Sequence, residues 1–298
     1  LVSTVIEYMG VPEMTIPYGL AETIGLRDEM EDGHAIWDDE ETGIFSAEVY
    51  DGHGGWIAAS LAADILTAFF LARQKEIWRE RGHKELDADA LRDAYLAADR
   101  YIVGRTESGS AAATLYIYGG AFLAANVGDA RIVVGEGRRA IDLTVDHKPD
   151  LPGERDRIEA QGGRVVAYDV ARVQGVLAMS RSLGDGPLKP FVTAEPRVAR
   201  GFFGRGDDVA VIACDGLWDV LTSEDAVRIA RTASGPSDAA KLLEKAALDR
   251  GSTDNITVIV LDLRGYTASC KGDVLHVTGV LDCAQPGGLV NSTSKCTT

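Results

Sequence analysis

The chain has 298 residues, 46% hydrophobic and 26% charged, with a formal net charge of −16 and a sequence pI of about 4.7. That composition supplies one large core or two smaller ones and fits an ordinary folded protein. A field of that sign repels phosphate backbones, so no nucleic-acid partner is expected.

In chain order, strand-like runs fall at 15–24 and 44–50, and helical periods at 56–81 and 87–103. Runs 112–118 and 121–127 flank Gly119-Gly120, the composition of a tight hairpin. A strand at 131–134, a helix at 153–161 and a strand at 209–214 follow. Helices are expected at 223–233, where Ser223 precedes the acids Glu224 and Asp225, and at 237–249, with Gly251 as a C-cap. A last strong strand covers 256–263. Past Arg264, Thr278-Gly279 reads as the turn of a small hairpin, and 286–298 is expected to be mobile. Strands come in runs with helices between the runs, which argues for an α+β fold with antiparallel sheets.

No run reaches the ~18 consecutive apolar residues of a membrane span. The longest candidate, 57–72, is interrupted by Asp64 and reads as an amphipathic helix. Leu1-Val2-Ser3 lacks a charged n-region followed by an apolar core, so no signal peptide is expected. A monomer in the cytosol, or else in the nucleus, is expected. Cys214, Cys270, Cys283 and Cys296 form no C-x-x-C pair, so a zinc knuckle has no support. Cys214 lies in an apolar run and is expected in the core.

Three strand runs end in acids: Tyr50 into Asp51-Gly52, Val127 into Gly128-Asp129, and Cys214 into Asp215-Gly216. Asp254-Asn255 instead stands just before its strand. In an antiparallel sheet the start of one strand lies beside the end of its neighbour, so these acids are expected at one edge. Glu31-Asp32 is expected to join them. Crowded carboxylates repel unless a cation intervenes, and oxygen-only ligands select magnesium or manganese. Two such ions ~3.5–4 Å apart hold a bridging hydroxide and polarise a phosphoryl group. Gly52 would let its own carbonyl approach an ion.

At these residues the chain resembles the metal-dependent protein serine/threonine phosphatases of the protein phosphatase 2C type. The matching stretches are 27-RDEMEDGH-34, 49-VYDGHGG-55, 108-SGSAA-112, 124-AANVGDAR-131, 144-TVDHKP-149, 177-LAMSRSLGD-185, 213-ACDGLWDV-220 and 251-GSTDNITV-258. The resemblance implies a four-layer α-β-β-α sandwich of two antiparallel sheets, with a dinuclear metal site at one edge. It implies a phosphatase-like catalytic domain over 1–264, leaving 265–298 as a partly flexible extension. It also implies roles. Asp51 would bridge two Mg2+ or Mn2+ ions, with the Gly52 carbonyl as a further ligand. Asp215 and Asp254 would hold the first ion, and Glu31, backed by Asp32, the second. Asp129 and Asp219 match a weaker third metal site, and Asn255 a supporting position. Arg27 would clamp the phosphate and His53 would protonate the leaving oxygen of a phosphoprotein substrate.

His147 and Asp185 are read as structural and Trp218 as core. Glu48 departs from the family pattern; alternation from Asp51 puts it on the opposite face, where it is expected to point outward. Tyr168 stands where hormone-regulated plant members carry Trp, so receptor control is not expected. Segment 152–168 is expected to form the flap beside the site. The rival reading is a pseudophosphatase or regulatory binding module on the same fold. The presence of Glu31, Asp51, Asp215 and Asp254 argues against it. A small-molecule phosphatase is a further rival that only substrate profiling separates.

Overall fold

The computed structural model describes residues 16–268, 272, 275–282 and 289–290. The elements run β1 (Tyr18–Thr23), β2 (Gly33–Asp39), β3 (Ile44–His53), α1 (Ile57–Arg81), α2 (Ala88–Val103), β4 (Gly109–Tyr118), β5 (Ala121–Val127), β6 (Arg131–Glu136) and β7 (Arg139–Asp142). They continue with α3 (Pro152–Ala160), β8 (Val165–Ala167), β9 (Ala171–Val173), β10 (Leu183–Gly184), β11 (Arg197–Phe202), β12 (Asp207–Ala213), α4 (Asp215–Trp218) and α5 (Ser223–Ala230). The last described elements are α6 (Pro236–Asp249), β13 (Ile256–Asp262), α7 (Arg264–Thr267), β14 (His276–Leu281) and β15 (Leu289–Val290).

Two large antiparallel sheets result, beside a separate two-stranded β8-β9 hairpin. The smaller has the order β1-β13-β12-β6-β7; the larger runs β15-β14-β11-β5-β4-β3-β2, with β10 paired to β4. Alternation decides which side chains meet. Ala47 and Val49 of β3 enter the space between the sheets with Ile132, Val134, Ile212 and Ile259. Tyr50 points the other way, into a layer with Leu66 and Phe70 of α1 and Leu91 and Tyr95 of α2. On the far side, Val227, Leu243 and Ala247 of α5 and α6 cover Val211, Val258 and Val260. Each fully buried Val, Leu, Ile or Phe among them contributes about 1.5–3 kcal/mol relative to leaving it exposed. The architecture is therefore the expected four-layer α-β-β-α sandwich.

By length and composition α1 is apolar enough to cross a membrane, but its apolar side, from Ala58 to Trp78, is spent on the larger sheet. It stops at Gly82, whose left-handed backbone (φ 71°) lets its N–H reach the Trp78 carbonyl at 3.0 Å. Asp87 caps α2 by accepting from the Ala90 N–H at 2.9 Å. The Gly119-Gly120 hairpin forms as expected, with Tyr118 opposite Ala121 and both glycines at positive φ.

Some expectations change. The helix α5 starts at Ser223 as expected, capped by Thr222 Oγ1, which accepts from the Asp225 N–H at 3.1 Å, but it ends at Ala230 rather than at 233. Thr278-Gly279 is not a turn: β14 runs straight through it beside β11, and the extra residue is taken up as a register shift at Arg200/Gly201. Glu48 does lie on the face opposite Asp51, but that face is covered by α1, so the carboxyl is wholly buried rather than outward. Cys214 is a buried free thiol, as expected. Cys270, Cys283 and Cys296, and most of 286–298, lie outside the described residues.

Candidate metal centre

Four strand ends converge on one edge of the sandwich. Asp51 belongs to the end of β3, and Asp129 stands between β5 and β6. Asp215 opens α4 directly after β12, and Asp254 precedes β13. Carboxylate oxygens of Asp51, Asp129 and Asp215 lie within 4.8 Å of one another. A second group joins Asp32, Asp51 and the Cys214 thiol under the same limit. The Asp215 N–H donates to Asp51 Oδ2 at 3.2 Å, fixing one acid against the next.

The segment carrying Glu31 and Asp32 is held by Asn255. Its Oδ1 accepts from the Glu31 N–H at 2.8 Å, and its Nδ2 donates to the carbonyls of Ile24 and Glu29 at 2.9 and 3.0 Å. Glu31 Oε1 accepts from the Gly55 N–H at 2.5 Å. Gly52 has a steric reason to be glycine: a Cβ there would sit 2.1 Å from the Glu31 carbonyl oxygen. After it, Gly54 and Gly55 turn the chain at φ 68° and 116°, where a side chain would be strained.

The electrostatics are those of an acidic cluster short of positive charge. Burial, then the neighbouring Asp215, pushes the Asp51 carboxyl well above the usual carboxylate range. Burial, with Asp129 and Asp219 beside it, raises Asp215 to about 8. Burial raises Asp32 to about 6 and also lifts Asp219. Asp32 Oδ2 and Asp129 Oδ1 are buried without a hydrogen-bond partner. Oxygen-rich, repelling and partly unpaired, these residues fit divalent cations.

Three basic groups rim the cluster. The Arg27 guanidinium, half exposed, pairs with Asp254 at 2.6 Å. Lys148 Nζ lies 2.5 Å from Asp129 Oδ2. His53 Nε2 contacts the Asp185 carboxylate at 2.8 and 3.0 Å, while its Nδ1 is buried without a partner. Sequence reasoning missed two of these contacts. It took Asp185 as structural, yet Asp185 holds the His53 ring and is itself tied to the Ser182 hydroxyl. It gave Lys148 no role. Asp185 sits in the left-handed region (φ 53°), uncommon for a non-glycine residue and the one local sign of a special position. His147 and Trp218 stand as read: His147 is buried in its loop, and the Trp218 indole donates to the Ala213 carbonyl at 2.9 Å.

The protein phosphatase 2C family profile matches residues 16–256. The chain belongs to that family. It is 38% identical over 253 residues to "Probable protein phosphatase 2C 69" of Arabidopsis thaliana, covering 82% of this chain and 69% of that protein. It is 37% identical over 252 residues to "Probable protein phosphatase 2C 45" of Oryza sativa subsp. japonica, covering 82% and 86%. Among solved structures, serine-threonine phosphatase 2C from Toxoplasma gondii superposes with a TM-score of 0.75 at 24% identity, over 83% of this chain and 94% of that one. At that identity the likeness speaks to the fold.

Within this protein phosphatase 2C chain, the matched region contains every acid of the cluster, from Glu31 to Asp254. The strand β14 lies beyond it, so the outer part of the larger sheet is built from residues outside the family match.

Proposed function

We propose that this member of the family hydrolyses phosphoserine and phosphothreonine in proteins with two Mg2+ or Mn2+ ions. The reading rests on one observation above all: Asp51, Asp129 and Asp215 bring carboxylate oxygens within 4.8 Å of one another at the sandwich edge. Asp51, Asp215 and Asp254 would hold one ion. Asp51, the Gly52 carbonyl and Glu31, backed by Asp32, would hold the other. Asp129 and Asp219 would hold a weaker third. When bound, the ions supply the positive charge that activates water and polarises the phosphoryl group.

The side chains do the rest. Arg27 presents a planar guanidinium at the rim and binds the substrate phosphate, exchanging part of its pairing with Asp254 for phosphate oxygens. His53 gives a proton to the leaving serine or threonine oxygen, with its ring fixed by Asp185 through Nε2. The segment 152–168, which carries α3 and β8, would form the flap over which the peptide lies.

Phosphate release from a phosphothreonine peptide, beside a panel of small phosphate monoesters, tests the reading. Manganese-dependent release that EDTA abolishes, with the peptide preferred, supports it. Preference for the small monoesters moves the substrate class, and no release in any metal from folded protein overturns the activity.

A further inference from the structure

Among the described residues, Lys148 is the one lysine paired with an acid of the cluster, and its placement is built rather than accidental. Its Nζ lies 2.5 Å from Asp129 Oδ2, while the other oxygen of that carboxylate is buried with no partner. The loop that carries it is pinned on both sides. The His147 N–H donates to the Gly128 carbonyl and the His147 carbonyl accepts from the Ser180 N–H, both at 2.9 Å. Asp146, the residue before, is held by Arg131 through two bonds of 3.0 and 2.7 Å. Asp215 and Asp219 are close enough to act on the same ammonium. Yet the Lys148 side chain is 40% exposed, against 3% for Asp129, so the lysine can leave and the acid cannot.

We propose that Lys148 is an internal cation that competes with a divalent ion for Asp129, making the ion held by Asp129 and Asp219 the weak, exchangeable one. An ammonium held at Asp129 Oδ2 and a divalent ion on the same carboxylate repel each other at close range, so occupancy by one disfavours the other. When the ion enters, Lys148 swings to solvent. When it leaves, Lys148 returns and keeps Asp129 charged and in place beside Asp51. The residue thus sets the occupancy of that subsite without contacting substrate. The inference rests on the metal reading above and adds to it a determinant of affinity.

The test is Mn2+ binding, read from the electron paramagnetic resonance signal of free Mn2+. It compares the wild-type chain with Lys148→Gln, Lys148→Arg, Asp129→Asn and the double variant Lys148→Gln/Asp129→Asn. Removing one charge in contact with the ligand should tighten the weakest ion by about ten-fold in Lys148→Gln, and the tighter ions by less than about two-fold. Lys148→Arg, which keeps the charge, should stay near wild type. In the Asp129→Asn background Lys148→Gln should have no effect, because the contested carboxylate is gone. An unchanged or weaker last ion in Lys148→Gln overturns the proposal. So does tightening that persists in the Asp129→Asn background, which would mark a diffuse field rather than competition. Failure of the wild-type chain to bind any Mn2+ would instead remove the metal reading, and this inference with it.

Discussion

At the scale of single residues, Glu48 shows how far alternation carries an argument and where it stops. The period of two correctly separates Glu48 from Asp51, but it cannot say whether the second face meets water or a helix. Here it meets α1. The carboxyl accepts from Ser46 Oγ at 2.8 Å and from the hydroxyls of Thr67 and Tyr50, with Tyr116 close by. Burial raises its pKa despite those donors. An acid whose folded pKa is raised costs nothing below its unfolded pKa, near 4.3. As pH climbs from there towards the folded value, the unfolded chain ionises more readily and stability is lost. Glu48→Gln should therefore melt higher than wild type at pH 8, by an amount that shrinks as pH falls to 4. A difference independent of pH would contradict this. His53 and Asp185 make a second residue-scale prediction. His53→Ala should slow a phosphothreonine peptide about 100-fold and an aryl phosphate, whose leaving group needs no proton, far less. Asp185→Asn should shift the two substrates in the same uneven way. Equal losses on both substrates would remove the acid role.

Among elements, those with local signals were legible and those defined by partners were not. Gly119-Gly120 announces its hairpin because both positions need positive φ. The helices α1, α2 and α6 announce themselves through period and caps. The strand β11 was missed because Arg197 and Arg200 interrupt its apolar pattern, although its Val198 and Ala199 are buried. No local pattern reveals the link between α3 and the segment after Ser180, which is carried by charge. Arg181 is fully buried, paired with Glu154 of α3 at 2.5 Å and with Asp282, just after β14, at 2.9 Å. Burial alone would raise the Glu154 carboxyl, but Arg181 outweighs it and holds the group at about 2. Removing either partner leaves the other with one weaker counter-charge, Asp282 for Arg181 or Arg157 for Glu154, so Glu154→Ala and Arg181→Ala should each lower unfolding stability by up to about 3 kcal/mol, the lower end for a broken buried pair. The double variant should lose less than the sum. Chemical denaturation of the four proteins checks this, and strict additivity would show that the pair is not coupled.

For the molecule as a whole, a sandwich edge gathers acids that lie more than 200 residues apart in sequence, from Glu31 to Asp254. Their strand-end positions were readable, and so was their convergence, because antiparallel neighbours bring starts beside ends. What the sequence did not disclose was the set of rim contacts, Lys148 on Asp129 and Asp185 on His53, since each depends on loops whose course is set by packing. The net charge of −16 is consistent with a protein that gathers cations at its working edge. The central claim is that Asp51, placed between Asp32 and Asp215, organises those cations for phosphate hydrolysis. Its most direct test is manganese-dependent phosphate release from a phosphothreonine peptide by the wild-type chain and by Asp51→Asn. The account predicts a loss of at least ~1000-fold in a variant that keeps its fold, because both proposed ions lose their shared ligand. Activity within a few-fold of wild type in folded Asp51→Asn would contradict it.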